Sequence, residues 1–142
     1  MDKQKKLLVQ KFGGTSLADL NGFEASASVI ERYTDDYQVI VVLSAVKGVT
    51  DLLLAAIDTA VEGGDGAEHL KEALAREKRI IDALTEQAVP TPLAGEFLAE
   101  QQSVLGRRVE GIRLLGQCPE ETRARILATG EGFSSRLMVD LL

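Results

Sequence analysis

Three short segments hold residue types that suit an anionic substrate. The first is Lys11-Phe12-Gly13-Gly14-Thr15-Ser16, which follows the apolar run Leu7-Leu8-Val9 and precedes a helix-like stretch. Glycines let a backbone come close to a ligand. Free amides at a helix start attract negative charge, and Lys11 adds a full positive one. The chemistry this suits is phosphate binding at a strand-to-helix junction. It is neither a Walker A loop nor a Gly-x-Gly-x-x-Gly dinucleotide loop. A tight turn with a surface lysine is the plainer alternative.

The second segment runs from Ser44 to Asp51, Ser-Ala-Val-Lys-Gly-Val-Thr-Asp. A buried-looking strand leads into small and hydroxyl residues that can bond carboxylate or phosphate oxygens. Taken alone, it reads as a loop with Thr50 as a helix cap. The third segment is Thr129-Gly130-Glu131-Gly132-Phe133-Ser134-Ser135-Arg136-Leu137. Glu131, between glycines, suits a substrate ammonium group, or equally an acid at a helix N-terminus.

The elements around these segments point to an α/β fold. Leu7–Phe12 reads as a strand and 21–33 as a helix, with Asn21 as cap, Glu24 completing a capping box, and Phe23, Ala27 and Ile30 on one face. Val39-Ile40-Val41-Val42-Leu43 is an unbroken run, as in a parallel strand buried on both faces. A helix follows over 51–61. Strand, helix, strand, helix predicts right-handed crossovers and a ligand site beyond the carboxyl ends of the strands, where both glycine-containing loops fall. Residues from about 66 to 116 read as a helical hairpin packed on the sheet, with the turn Val89-Pro90-Thr91-Pro92 between its arms. Leu70, Leu74, Ile81 and Leu84 stripe the first arm; Leu98, Leu105, Val109 and Ile112 stripe the second. Pro119, with Glu120 and Glu121 behind it, starts a last helix that Gly130 can interrupt.

Composition sets limits. The 142 residues favour one domain, and 45% hydrophobic with 27% charged residues is ordinary for a water-soluble protein. A formal net charge of −6 argues against a nucleic-acid partner. Cys118 is the only cysteine and His69 the only histidine. That removes internal disulfides, cysteine zinc clusters and multi-histidine metal sites. His69 reads as a residue of a solvated helix. The basic start, 1–6, is followed by too short an apolar run for a signal peptide, and no stretch approaches the ~20 apolar residues of a membrane span. A cytoplasmic setting is expected.

In this order and spacing, the three segments resemble the aspartokinases of the amino-acid kinase family. The likeness spans essentially the whole chain. Gly111-Ile112-Arg113-Leu114-Leu115-Gly116-Gln117-Cys118-Pro119 is also similar to the aspartokinase half of bifunctional aspartokinase/homoserine dehydrogenases. The resemblance implies a three-layer α/β/α sandwich with a mainly parallel sheet. It implies ATP, with Mg2+, and L-aspartate as substrates, and a homo-oligomer. Carried onto matching positions, Lys11 is the catalytic cation, Gly13, Gly14, Thr15 and Ser16 hold ATP phosphates, and Ser44, Thr50 and Glu131 bind aspartate. No metal ligand is identified. The family's kinase domain runs to roughly twice this length. Residues 1–142 are therefore expected to be the N-terminal portion of a single incomplete domain. The nucleotide-base pocket, a later aspartate-binding arginine, a second catalytic lysine segment and the ACT domains lie outside it. Such a piece is expected to be inactive alone. Another acidic amino acid as substrate, or a non-catalytic binding or assembly role, are the alternatives.

Overall fold

The computed structural model describes residues 5–142, so 1–4 of the basic start lie outside the described residues. Its elements are β1 (Lys6–Phe12), α1 (Leu20–Thr34), β2 (Tyr37–Leu43), α2 (Val49–Val61), α3 (Ala67–Glu86), α4 (Pro92–Leu115) and α5 (Glu120–Leu141). The strands pair in parallel, with Val9 beside Ile40, Lys11 beside Val42 and Phe12 beside Leu43. The Ser44 amide donates to the Phe12 carbonyl at 3.0 Å and carries the pairing one residue further. Both strands therefore end at the same edge, where their loops meet. The α/β class and parallel sheet are as the sequence predicts.

The sheet departs from expectation in how its faces are covered. Side chains alternate between the two faces of a strand. Leu8, Gln10, Phe12, Val39, Val41 and Leu43 point to the half-buried side. Leu7, Val9, Ile40 and Val42 lie on the other side and are exposed. The run 39–43 is thus buried on one face only. Of the helices, α1 and α5 lie against β2. The hairpin arms α3 and α4 pack on α2 and on each other, with α4 also along α5, rather than on the sheet.

Local signals explain the helix boundaries. Asp19, not Asn21, caps α1: it has extended backbone and its carboxylate accepts from the Gly22 amide at 2.9 Å. Helix α2 begins two residues before Asp51, behind Gly48 in the left-handed region at φ 82°. Thr50 therefore sits in the first turn of α2 and does not cap it. Pro92 opens α4 as a first-turn proline should. Helix α5 runs unbroken through Gly130, with Glu120 and Glu121 in its first turn. His69 lies near the start of α3 and is half-buried.

The core lies between helices. Phe23 and Ile30 of α1, Leu53 and Ile57 of α2, Leu84 of α3, Leu105 and Ile112 of α4, and Ile126, Phe133 and Leu137 of α5 are fully or almost fully buried. The predicted stripe of α3 is rotated. Leu70, Ala73, Glu77, Ile80 and Leu84 are its buried set, whereas Leu74 and Ile81 line an open groove against α4. Glu77 thus occupies a core position in a helix that is otherwise amphipathic. Among the described residues, no helix is long and apolar enough to cross a membrane.

Candidate active site

The loops after β1 and β2 touch each other at the carboxyl edge of the sheet. A side chain on Gly14 would place its Cβ 3.5 Å from the Ala45 carbonyl oxygen and 3.8 Å from the Lys47 Cα, so the first loop lies directly against the second. Turn bonds shape the first loop: the Ser16 and Leu17 amides donate to the Gly13 carbonyl at 3.0 and 3.2 Å. Leu17 is fully buried and anchors the loop to the core.

The third segment arrives on α5. A Cβ on Gly130 would lie only 2.6 Å from the Ala45 Cβ and 3.4 Å from a Val49 methyl. Glycine at 130 is what lets the helix backbone reach the β2–α2 loop. The next residue, Glu131, is carried to the rim of the same cavity. Behind it, Gly132 makes room for Phe97 of α4, and the Arg136 guanidinium stacks over that ring at 4.0 Å. Glu131 is therefore a mid-helix residue held by packing on two sides.

The result is an open cavity of about 310 Å³ lined by Gly14, Thr15, Ser44, Ala45, Val46, Lys47, Gly48, Thr50 and Glu131. Gly14, Thr15, Ser44, Thr50 and Glu131 were singled out by sequence and are brought together here. Lys11, Gly13 and Ser16 flank the cavity without lining it. Lys11 pairs with Val42 at the last stretch of β1, and its side chain is exposed. Lys47 lines the cavity and was not singled out. Its signal was weak, a single cation inside a segment chosen for its hydroxyls.

The arrangement offers hydroxyls from Thr15, Ser44 and Thr50, backbone from Gly14, one carboxylate and one ammonium. Such a set can hold a zwitterion, its cationic end on Glu131 and its anionic oxygens on the hydroxyls. It does not suit a metal. Among the described residues, no three His, Cys, Asp or Glu side chains are grouped to hold one.

The sequence matches the amino acid kinase family over residues 6–142. The chain belongs to the amino acid kinase family. It is 34% identical over 135 residues to a bifunctional aspartokinase/homoserine dehydrogenase of Buchnera aphidicola subsp. Acyrthosiphon pisum, covering 93% of this chain and 16% of that protein. It is 33% identical over 141 residues to an aspartokinase of Chlamydia muridarum, covering 97% of this chain and 28% of the relative. Among solved structures it resembles E. coli aspartokinase III in complex with aspartate and ADP in the R-state. That match has a TM-score of 0.73 at 25% identity, over 96% of this chain and 28% of the other. The chain therefore spans between about a sixth and about a quarter of the relatives it matches. The amino-acid kinase fold expected from the three segments is the fold found.

Proposed function

We propose that this chain forms the phosphate-facing and aspartate-facing part of an aspartate kinase. The reaction is transfer of the ATP γ-phosphoryl group to the side-chain carboxylate of L-aspartate, giving 4-phospho-L-aspartate. It is the first step toward lysine, threonine, methionine and isoleucine, and we assign it to the cytoplasm. The observation that carries this reading is the cavity that joins Gly14 and Thr15, Ser44 and Thr50, and Glu131. Residues far apart in sequence share one wall there.

The chemistry needs little beyond positioning and charge. The attacking carboxylate is already ionised at neutral pH, so no general base is required and the lack of a histidine at the site is no obstacle. The difficulty is bringing two anions together. Glu131 orients aspartate through its ammonium group, and Ser44 and Thr50 hold its oxygens. Gly13, Gly14, Thr15 and Ser16 present backbone and hydroxyl donors to the ATP phosphates. Lys11, at the end of β1, offsets charge on the transferring group. Magnesium would come bound to the nucleotide, since the cavity's single carboxylate does not make a metal site.

On this reading residues 1–142 are the N-terminal portion of a single kinase domain. The support is the partial coverage of the relatives, together with the exposed Leu7, Val9, Ile40 and Val42 on one sheet face. Parallel sheets are normally covered on both sides. Homo-oligomerisation belongs to the same proposal. The test is to offer the full-length protein ATP with aspartate, glutamate and N-acetylglutamate in parallel. Aspartate-dependent ADP release well above the other acids is expected. Equal or greater turnover with another acid would reject the assignment.

A further inference from the structure

Arg76, midway along α3, reaches across to the β2–α2 loop. Its Nη1 donates to the Lys47 carbonyl oxygen at 3.0 Å. Its Nε donates to the Glu72 carboxylate at 3.2 Å, and Glu72 accepts a second bond from Arg79 Nη2 at 3.0 Å. The Arg79 and Arg76 guanidiniums hold the Glu72 carboxyl below its ordinary range, so it stays an anion and an anchor.

The next residue in the loop is Gly48, at φ 82° and with no side-chain cap for α2. A Cβ at this position would stand 2.0 Å from Arg76 Nη1. The guanidinium therefore occupies the space that any other residue at 48 would fill. It also ties down the carbonyl immediately before it. Lys47 and Gly48 line the candidate active site on one side and a second cavity of about 630 Å³ on the other. Arg76, Arg79 and Glu72 line that second cavity. The loop is a thin partition, braced from behind by α3.

We propose that Arg76 is a positioning residue for the phosphoryl-transfer site. It fixes the β2–α2 loop so that Ser44 and Lys47, with Thr50 in the first turn of α2, face Gly14 and Glu131. This rests on the aspartate-kinase reading above. A guanidinium suits the task because its planar fork bonds a carbonyl and a carboxylate at once, which a lysine ammonium does with less directional control. The effect on the reaction is indirect. Misplacing reacting groups by about 1 Å can cost on the order of a hundredfold in rate.

The test compares Arg76→Ala, Arg76→Lys, Gly48→Ala and Glu131→Gln in the full-length protein, by steady-state kinetics, thermal melting and amide NMR. A wild type that phosphorylates aspartate, with Glu131→Gln raising the aspartate KM, secures the underlying reading independently of Arg76. Against that background, Arg76→Ala and Gly48→Ala are each expected to lower kcat/KM for aspartate about tenfold or more. Amide shifts over 44–50 should move, and Arg76→Lys or added guanidinium ion should recover part of the loss. Kinetics of Arg76→Ala equal to wild type while Glu131→Gln is impaired would overturn the proposal and leave the reading standing. A loss matched by collapse of the melting transition, without rescue by Arg76→Lys or guanidinium, would overturn it as a folding effect. Should aspartate prove not to be the substrate, the loop amides still decide: unmoved shifts in Arg76→Ala refute the brace.

Discussion

Gly130 of α5 and Ala45 of the β2–α2 loop sit so close that a Cβ on Gly130 would come within 2.6 Å of the Ala45 Cβ. This contact seats Glu131 beside Ser44 and Thr50. Glycine inside a helix costs about 1 kcal/mol relative to alanine, so removing it should help α5 by itself. Overpacking works the other way, at about 1 to 3 kcal/mol. Gly130→Ala is therefore expected to be neutral to about 2 kcal/mol destabilising. Its aspartate KM should rise more than that loss of stability explains. Denaturant melts alongside aspartate titrations check both.

Glu77 gives a pH signature. It is buried on α3, and desolvation pushes its carboxyl up to about 8 from an ordinary 4.5. Between these values the folded chain keeps a proton that the unfolded chain has lost. Stability from this group is thus fully present below pH 4.5, falls as pH rises, and is gone above about 8. The span corresponds to roughly 5 kcal/mol at most. Glu77→Gln should flatten the dependence of Tm on pH across this window and raise Tm most near pH 8. Parallel melts of the two proteins from pH 5 to 8.5 give the answer; identical slopes would contradict it.

Asp140, near the end of α5, caps the start of α4. Its carboxylate accepts from the Leu93 amide at 3.2 Å and the Ala94 amide at 2.9 Å, although Thr91 at the cap position provides no such bond. Asp140→Ala should destabilise the chain by about 1 kcal/mol, with a smaller loss for Asp140→Asn. Urea melts of both variants measure it.

Lys11 lies outside the cavity wall, so its role depends on the phosphoryl group reaching past Gly14 toward the end of β1. Lys11→Ala in the full-length protein should lower kcat by about a hundred- to a thousandfold, the loss of one transition-state donor. The aspartate KM should change little. An unchanged kcat would remove Lys11 from the reaction.

Much of the fold was legible because local rules govern it. Hydrophobic period and turn residues located both strands and all five helices to within a few residues. Cap identity was harder. Asn21 and Thr50 are good capping residues, but Asp19 and the left-handed Gly48 stand earlier in the chain and begin their helices first. The buried face of the apolar run 39–43 could not be read from periodicity, since Ile40 and Val42 are as apolar as their inward neighbours. In the candidate site, Ser44, Thr50 and Glu131 came from the order of three segments and their resemblance to aspartokinases, and the structure brings them to one cavity. Lys47 and Arg76 were not singled out. Their importance comes from tertiary contacts, a cavity wall and a carbonyl 29 residues away, which leave no periodic trace.

We place aspartate in the cavity between the two loops and α5. Glu131→Gln in the full-length protein tests this placement most directly, because the change removes one charge and keeps the shape. The aspartate KM should rise about tenfold or more, as loss of a charge-assisted bond predicts, while the ATP KM stays near wild type. An unaltered aspartate KM would contradict the account.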